Sequence, residues 1–188
     1  EAALAPLADR GLALPANGGE RLTDWQRARF CDNRYFPSMS WMITGKCNYN
    51  CLHCFNAADN APLQSEFTWE EAERLMDEAR DCGIHAVTIT GGEPMLHPRF
   101  FGIVGGLYER GLYVRELNPN GHFLNDETLS RLKAVDGEIR IKISFDGLGH
   151  HDWLRNRKGA EADALRAIGL SKAYGFRTQA QTNVHRGN

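Results

Sequence analysis

From Ser38 onward, hydrophobic and polar positions follow two different periods that take turns along the chain. Segments with period-two alternation, or with short apolar runs rich in β-branched residues, predict β-strands. Five segments fit: SMSWMIT, HAVTIT, LYVREL, EIRIKISFD and FRTQAQTNV. EIRIKISFD alternates most regularly, because its isoleucines fall on one face while Arg140 and Lys142 fall on the other.

Four segments with apolar residues at helical spacing separate these strands. The first begins at Thr68, whose side chain can cap a helix, and Glu71 completes a capping box. Its apolar stripe includes Cys82, which we expect to be a small buried residue, and Gly83 ends the helix. The other helices are predicted after Pro98, after the cap residue Asn125, and from Ala160 to Tyr174.

Strands that alternate with helices of this length predict a parallel sheet with helical crossovers. Two architectures fit, an open doubly wound sheet and a barrel of the TIM type, and in both the ligands bind beyond the C-terminal ends of the strands. Every strand is followed by a polar or glycine-rich loop: the cysteine loop, GGEP, NPNG, SFDG and HRGN. We therefore expect one binding face. In a barrel, Arg140 and Lys142 would point inward, where each charge needs a partner or a ligand.

The composition is that of one globular domain. The chain has 188 residues, of which 42% are hydrophobic, and its net charge of -2 gives no bulk attraction to nucleic acid or to an anionic membrane. No apolar run approaches the roughly 20 residues that span a bilayer, and no secretory signal is visible. The first residue is Glu1 rather than Met, which is typical of a trimmed or internal boundary. We divide the chain into an irregular lead-in, residues 1–36, with a short helix from Asp24 to Arg29, and a core domain, residues 37–188.

Three of the five cysteines lie close together, as Cys47, Cys51 and Cys54 in a C-x3-C-x2-C pattern. Such crowding does not suit a disulfide framework, and it predicts a metal site in a reducing compartment such as the cytoplasm. A structural zinc site closes with four ligands, and His53 is awkwardly placed to be the fourth. An iron–sulfur cube held by three cysteines would keep one iron open for a ligand. Cys31 lies outside this pattern and receives no role.

Two motifs resemble those of the radical SAM superfamily. CNYNCLHC matches its C-x3-C-x2-C loop, and TGGEP matches its methionine-binding motif. Each follows a predicted strand in the family's order, and the resemblance covers Ser38 to Asn188. More loosely, ISFDGLGHHDWLRNRKGA and the later GF…TNVHRGN resemble the branch that modifies peptides and proteins, whose members often carry a SPASM or twitch extension.

The resemblance implies a fold, cofactors and a chemistry. The fold would be α/β, a partial (β/α)6 TIM-like radical SAM barrel with about five parallel strands in this chain. Cys47, Cys51 and Cys54 would hold three irons of a [4Fe–4S] cluster, and S-adenosylmethionine would bind the fourth. An electron from a flavodoxin- or ferredoxin-type donor would cleave S-adenosylmethionine to a 5′-deoxyadenosyl radical, which takes hydrogen from a peptide or protein substrate. A tetrapyrrole or small metabolite is the alternative substrate, and a non-catalytic zinc-binding interaction module is the alternative of another class.

The resemblance also assigns the residues around the methionine and adenine ends of the cofactor. Gly91, Gly92, Glu93 and Pro94 would line the methionine end, where glycine lets the backbone approach a ligand closely. The backbone at His53 would meet the adenine. A glycine pair is also typical of an ordinary turn.

The loops after the later strands supply the remaining candidates. By the same resemblance, Ser144 and Asp146 would lie near the ribose hydroxyls, and Asn120 and either Asn183 or Val184 are weaker candidates. The alternative is a simple turn, because Asp146 and Asn120 each precede a glycine.

The segment after the fourth strand is a candidate for substrate contact. His150, His151, Trp153 and Arg155 could meet a peptide, but we favour a polar connecting loop with Trp153 packed into the core. Radical SAM barrels commonly have six β–α units, so five strands would leave an unpaired edge. We expect either that the protein continues beyond residue 188 or that another segment covers this edge, and any auxiliary iron–sulfur clusters would lie beyond residue 188.

Overall fold

The computed structural model describes residues 37–54, 56 and 66–186. The predicted lead-in, residues 1–36, lies outside the described residues together with its helix and Cys31, and so do the last two residues of HRGN. Within the described part of the chain, no helix is both long enough and apolar enough to cross a bilayer.

Five parallel strands form one sheet in chain order, with β1 and β5 at its edges. They are the predicted strands with trimmed ends: β1 Ser38–Met42, β2 Ala86–Thr90, β3 Tyr113–Leu117, β4 Arg140–Ser144 and β5 Arg177–Gln181. A doubly wound sheet reverses its strand order at a switch point, whereas a barrel adds each strand beside the last. The strictly sequential order among the described strands therefore confirms the barrel type.

Helices connect the strands as predicted, with one addition. They are α1 Trp69–Asp81, α2 Phe100–Glu109, α3 Asp126–Val135, α4 His151–Leu154 and α5 Ala160–Ala173. The capping box at α1 is present, since Glu71 N donates to Thr68 Oγ1 and Thr68 N donates to Glu71 Oε2. The short helix α4 was not predicted, because it is a single turn inside the polar segment after β4.

One prediction about α1 is wrong. Cys82 is exposed, although it continues the apolar stripe of the helix. The buried stripe consists of Ala72, Met76 and Ala79, and Cys82 is the C-terminal cap residue beyond it. Gly83 then takes a φ of 77°, which turns the chain away from the helix axis.

The core lies between the helices and one face of the sheet. Ile89, Leu117 and Ile141 are in register on that face, and all are almost fully buried. They pack with the apolar faces of the helices into one cluster. At Gly106 in α2 a β-carbon would lie 3.0 Å from Met76 Cε, so glycine there lets α1 and α2 pack closely.

The opposite face of the sheet, which we call the inner face, is polar. Thr88, Glu116 and Arg140 are in register there, and Lys142 follows on β4. Glu116 is buried, and its carboxylate lies 2.7 Å from Lys142 Nζ and 3.6 Å from Arg140 Nη1. Glu116 is thus the partner that the alternation of EIRIKISFD requires for the two cations.

Candidate functional site

The cysteine loop leaves the C-terminal end of β1 and lies against the loop that follows β2. Gly92 N donates to Thr44 O at 2.9 Å, and Glu93 N donates to Lys46 O at 2.8 Å. Farther along, Leu52 N donates to Leu154 O in α4 at 2.9 Å. Backbone hydrogen bonds with the loop after β2 and with α4 therefore hold the cysteine loop on both sides.

The glycine pair is required by this loop-to-loop contact. A β-carbon on Gly91 would lie 2.6 Å from Thr44 O, and one on Gly92 would lie 2.3 Å from Lys46 O. Real β-carbons essentially never approach so closely. The close approach expected toward a ligand is thus also a close approach between two segments of the chain.

Glu93 is fully buried behind the cavity wall and joins two loops. Its Oε1 accepts from Met95 N at 3.1 Å, and its Oε2 accepts from Asn120 N at 2.7 Å. Burial raises the pKa of Glu93 to about 7, although both hydrogen bonds oppose this shift. Pro94 is also buried and starts a short 3-10 turn. Neither residue lines the cavity, so both support the loop that does.

A cavity of about 430 Å³ opens at the C-terminal ends of the strands. Most of the predicted site residues line it together: Cys47, Cys51, His53, Cys54, Gly91, Gly92, Asn120 and Ser144. Further lining residues are Tyr49, Asn56, Thr90, Asn118, Arg155, Gln181, Thr182 and Asn183. Of these, only Asn56 lies outside the stretches that the sequence pattern singled out. This volume lies within the range of cofactor sites in proteins.

Asp146 does not line the cavity. It is fully buried, its Oδ2 accepts from Arg155 Nε at 2.7 Å, and its Oδ1 accepts from Asn183 N at 3.0 Å. Burial opposes its ionisation, but these two contacts hold the pKa of Asp146 below its usual range. Asp146 therefore positions Arg155 and Asn183. Val184 is 83% exposed outside the cavity, whereas its neighbour Asn183 lines it.

The segment around α4 separates into buried and exposed parts. His151 is fully buried, and its Nδ1 accepts from Asp146 N at 3.0 Å, in keeping with burial that lowers its pKa. Trp153 is 58% exposed and contacts His185, so its predicted place in the core is wrong. Two residues later, Arg155 Nη1 lies 3.8 Å from Cys51 Sγ. The segment thus places one cation, Arg155, beside the cysteine loop.

The thiols need a metal to become thiolates. Burial raises the pKa of Cys47 to about 11, and it also raises the pKa of Cys51 against the opposing effect of Arg155. Metal binding at these sulfurs would therefore release protons. In the part of the chain that the structure describes, no three His, Cys, Asp or Glu side chains converge on a single metal ion. A cube binds each thiolate through a different iron, so its ligands do not converge on one point.

A larger groove of about 640 Å³ lies elsewhere, beside the start of α2. It is lined mainly by apolar and aromatic residues, and none of the predicted site residues reaches it. The chemistry therefore belongs to the smaller cavity.

Comparison with known proteins identifies the family. The family model described as "Radical SAM superfamily" matches residues 41–188, which include the cysteine loop and every strand after β1. The chain belongs to the radical SAM superfamily. Members of this family use a [4Fe–4S] cluster and S-adenosylmethionine, as expected from the two motifs.

Relatives of this radical SAM chain carry two kinds of name. "AdoMet-dependent heme synthase" of Nitratidesulfovibrio vulgaris is 34% identical over 80% of this chain and 41% of that protein. "Antilisterial bacteriocin subtilosin biosynthesis protein AlbA" of Bacillus subtilis is 29% identical over 78% of this chain and 33% of that protein. The chain spans about two fifths of the length of the first of these relatives.

A solved structure agrees in fold. The structure "Native anSMEcpe with bound AdoMet" superposes with a TM-score of 0.65, covering 77% of this chain and 43% of that one at 19% identity. This likeness confirms the radical SAM barrel fold.

Proposed function

We propose that this cavity binds a [4Fe–4S] cluster and S-adenosylmethionine and that the enzyme starts a radical reaction on an organic substrate. The main support for this proposal is that all three cysteines and both glycines of the two motifs line one cavity. When bound and reduced, the cluster would supply the electron that cleaves S-adenosylmethionine to a 5′-deoxyadenosyl radical. A flavodoxin- or ferredoxin-type protein is the proposed electron donor.

Different residues of this chain would bind different parts of the two cofactors. Cys47, Cys51 and Cys54 would hold three irons as thiolates. Arg155, the cation beside Cys51 Sγ, would stabilise the negative charge of a reduced cluster. The carbonyl of Gly91, which accepts from Asn56 Nδ2 at 3.5 Å, lies on the cavity wall and can also accept from an ammonium group.

Another part of the cavity lining offers hydrogen-bonding groups to the rest of S-adenosylmethionine. Asn118 Oδ1 is buried and has no hydrogen-bond partner among the described residues. Ser144 and Asn120 line the same wall. A bound ligand with hydroxyl groups would satisfy such atoms, whose burial without a partner costs free energy. We propose that Asp146 acts indirectly, by fixing Arg155, and that Val184 makes no contact with the cofactor.

Two substrate classes remain as proposals. Relatives named as heme synthases favour a tetrapyrrole, and relatives such as AlbA and "Mycofactocin maturase MftC", 30% identical, favour a peptide. The identities are too similar to rank the classes. A zinc-binding interaction module is the less supported proposal, because no three candidate ligands converge on one ion among the described residues and a zinc site leaves the GGEP motif without a role.

The test is anaerobic reconstitution of the protein with iron and sulfide. On reduction with dithionite, we expect S-adenosylmethionine to yield 5′-deoxyadenosine and methionine. Cys51→Ala should abolish this yield, whereas Cys82→Ala removes an exposed cysteine outside the site and should leave it unchanged. Equal product from Cys51→Ala and the unmodified protein would refute the proposed ligands.

A further inference from the structure

Directly below the cavity, the inner face of the sheet carries more cations than carboxylates. Arg140 and Lys142 share one carboxylate, that of Glu116. Arg177, in register with Arg140 on β5, pairs with Glu138 at 3.2 Å. In the ion pairs of this face within residues 66–186, three cations thus meet two carboxylates. One positive charge remains uncompensated there.

This charge lies next to the cavity. Leu117 pairs with Ile141, so the next residues along the two strands are Asn118, which lines the cavity, and Lys142. Ser144, two residues after Lys142 on the same face, also lines the cavity. At the strand rise of about 3.3 Å per residue, Lys142 begins roughly 7 Å below Ser144. Its ammonium group is therefore within reach of a molecule that extends from the cavity along the inner face.

Lys142 and Arg140 also remain accessible. Their side chains are 28% and 37% exposed, while the Glu116 carboxylate between them is 10% exposed. Glu116 holds both side chains in place, but its single charge can neutralise only one of the two cations. A fixed cation of this kind binds a carboxylate more strongly than a mobile surface lysine does, because less side-chain entropy is lost on binding.

We propose that Lys142 and Arg140 bind a carboxylate group of the substrate. This inference rests on the proposed function, since it assigns the substrate to the same cavity. It deepens that function by naming the recognised chemistry, a carboxylate, which both substrate classes can supply. A tetrapyrrole would present propionate side chains, and a peptide would present Asp or Glu.

The test measures binding to the reconstituted protein without oxygen and without reductant. The probes are coproporphyrin III, its methyl ester, an acidic peptide rich in Glu, and the same peptide with Gln in place of Glu. We expect the acid form of one pair to bind at least about tenfold more tightly than its neutral form, the strength of one charge-assisted hydrogen bond. The pair that shows this preference identifies the substrate class.

Variants distinguish recognition of a substrate carboxylate from ion pairs that serve stability alone. Lys142→Met should weaken the preferred acid about tenfold and leave its neutral form unaffected. Glu116→Gln releases both cations, so it should preserve or tighten binding even as it lowers the melting temperature. Lys172→Met, on the outer surface, should change neither quantity.

Two results would overturn the inference. One is that both acids bind no better than their neutral forms in the unmodified protein, which needs no variant to fold. The other is that Lys142→Met lowers the melting temperature with the acid's affinity unchanged. Cleavage of S-adenosylmethionine without substrate tests the proposed function separately, so the two failures can be told apart.

Discussion

Replacing Gly92 by alanine should remove the iron–sulfur site while leaving the chain folded. The added β-carbon would lie 2.3 Å from Lys46 O and 2.7 Å from Gly45 O. Ordinary contacts begin near 3.4 Å, so the overlap exceeds 1 Å. Both atoms belong to the backbone and cannot rotate away as the end of a side chain could. The cysteine loop itself has to move.

The cost follows from what that movement breaks. Overpacking of a tight site costs about 1–3 kcal/mol, and an immovable neighbour puts this case near the upper end. The hydrogen bond from Glu93 N to Lys46 O is also stretched, at about 1 kcal/mol. A domain of this size has about 5–15 kcal/mol of stability, so it survives. Cys47, the residue after Lys46, is displaced with the loop.

The assay is iron and sulfide content after anaerobic reconstitution, together with chemical denaturation of the metal-free protein. We expect Gly92→Ala to lose most of its iron and about 3 kcal/mol of stability. The matched control is Gly105→Ala in α2, where a β-carbon meets no atom within 4 Å. It should keep its iron and gain about 0.5–1 kcal/mol from helix propensity. Wild-type iron content and stability in Gly92→Ala would refute the steric reasoning.

Two further predictions concern charges around the site. Because the pKa of Glu93 is about 7 when folded and 4.5 ordinarily, its contribution to stability is full below about pH 4.5 and is lost as pH rises to 7. The stability of Glu93→Gln relative to the unmodified metal-free protein should therefore increase by up to about 3 kcal/mol as the pH rises from 4.5 to 7. Denaturation experiments that give the same stability difference at both pH values would contradict this. Arg155→Met should lower the reduction potential of the cluster by on the order of 60 mV in an EPR-monitored titration, whereas Arg155→Lys keeps a cation. An unchanged potential in the Met variant would mean that Arg155 does not act on the cluster.

Periodicity predicted the fold well because burial on one side of each strand and helix leaves a direct pattern. The capping residues Thr68 and Asn125 also lie where their side chains predict. Cys82 shows the limit of this approach, since a stripe does not reveal where the packed part of a helix ends. The order of strands in the sheet likewise depends on contacts between distant segments, so the pattern alone left two architectures open.

The sequence predicted residues of the cavity both from the two motifs and from the loops after later strands, such as Asn120 and Ser144. Spacing identifies the cysteines and the glycine pair, but it does not tell whether a polar side chain lines a cavity or supports its wall. Glu93 and Asp146 were both expected to contact the cofactor, yet both are fully buried behind the wall. Arg155 contacts Asp146 through Nε and Cys51 through Nη1, and the latter contact joins residues 104 positions apart in the chain.

These two buried carboxylates explain how a cavity made of irregular loops keeps its shape. Glu93 accepts backbone hydrogen bonds that join the loops after β2 and β3, and Asp146 joins the loop after β4 to Asn183 after β5. Solvent reaches neither side chain, but Glu93 is the more deeply enclosed of the two, and their pKa values shift in opposite directions. Burial raises the pKa of both carboxyls, but Asp146 also accepts from Asn183 N and lies at hydrogen-bond distance from the Arg155 cation, and together these contacts offset the cost of burying its charge. Among the described residues, Glu93 accepts from two backbone N–H groups, which lower its pKa less than burial raises it, so its contribution to stability changes between about pH 4.5 and 7.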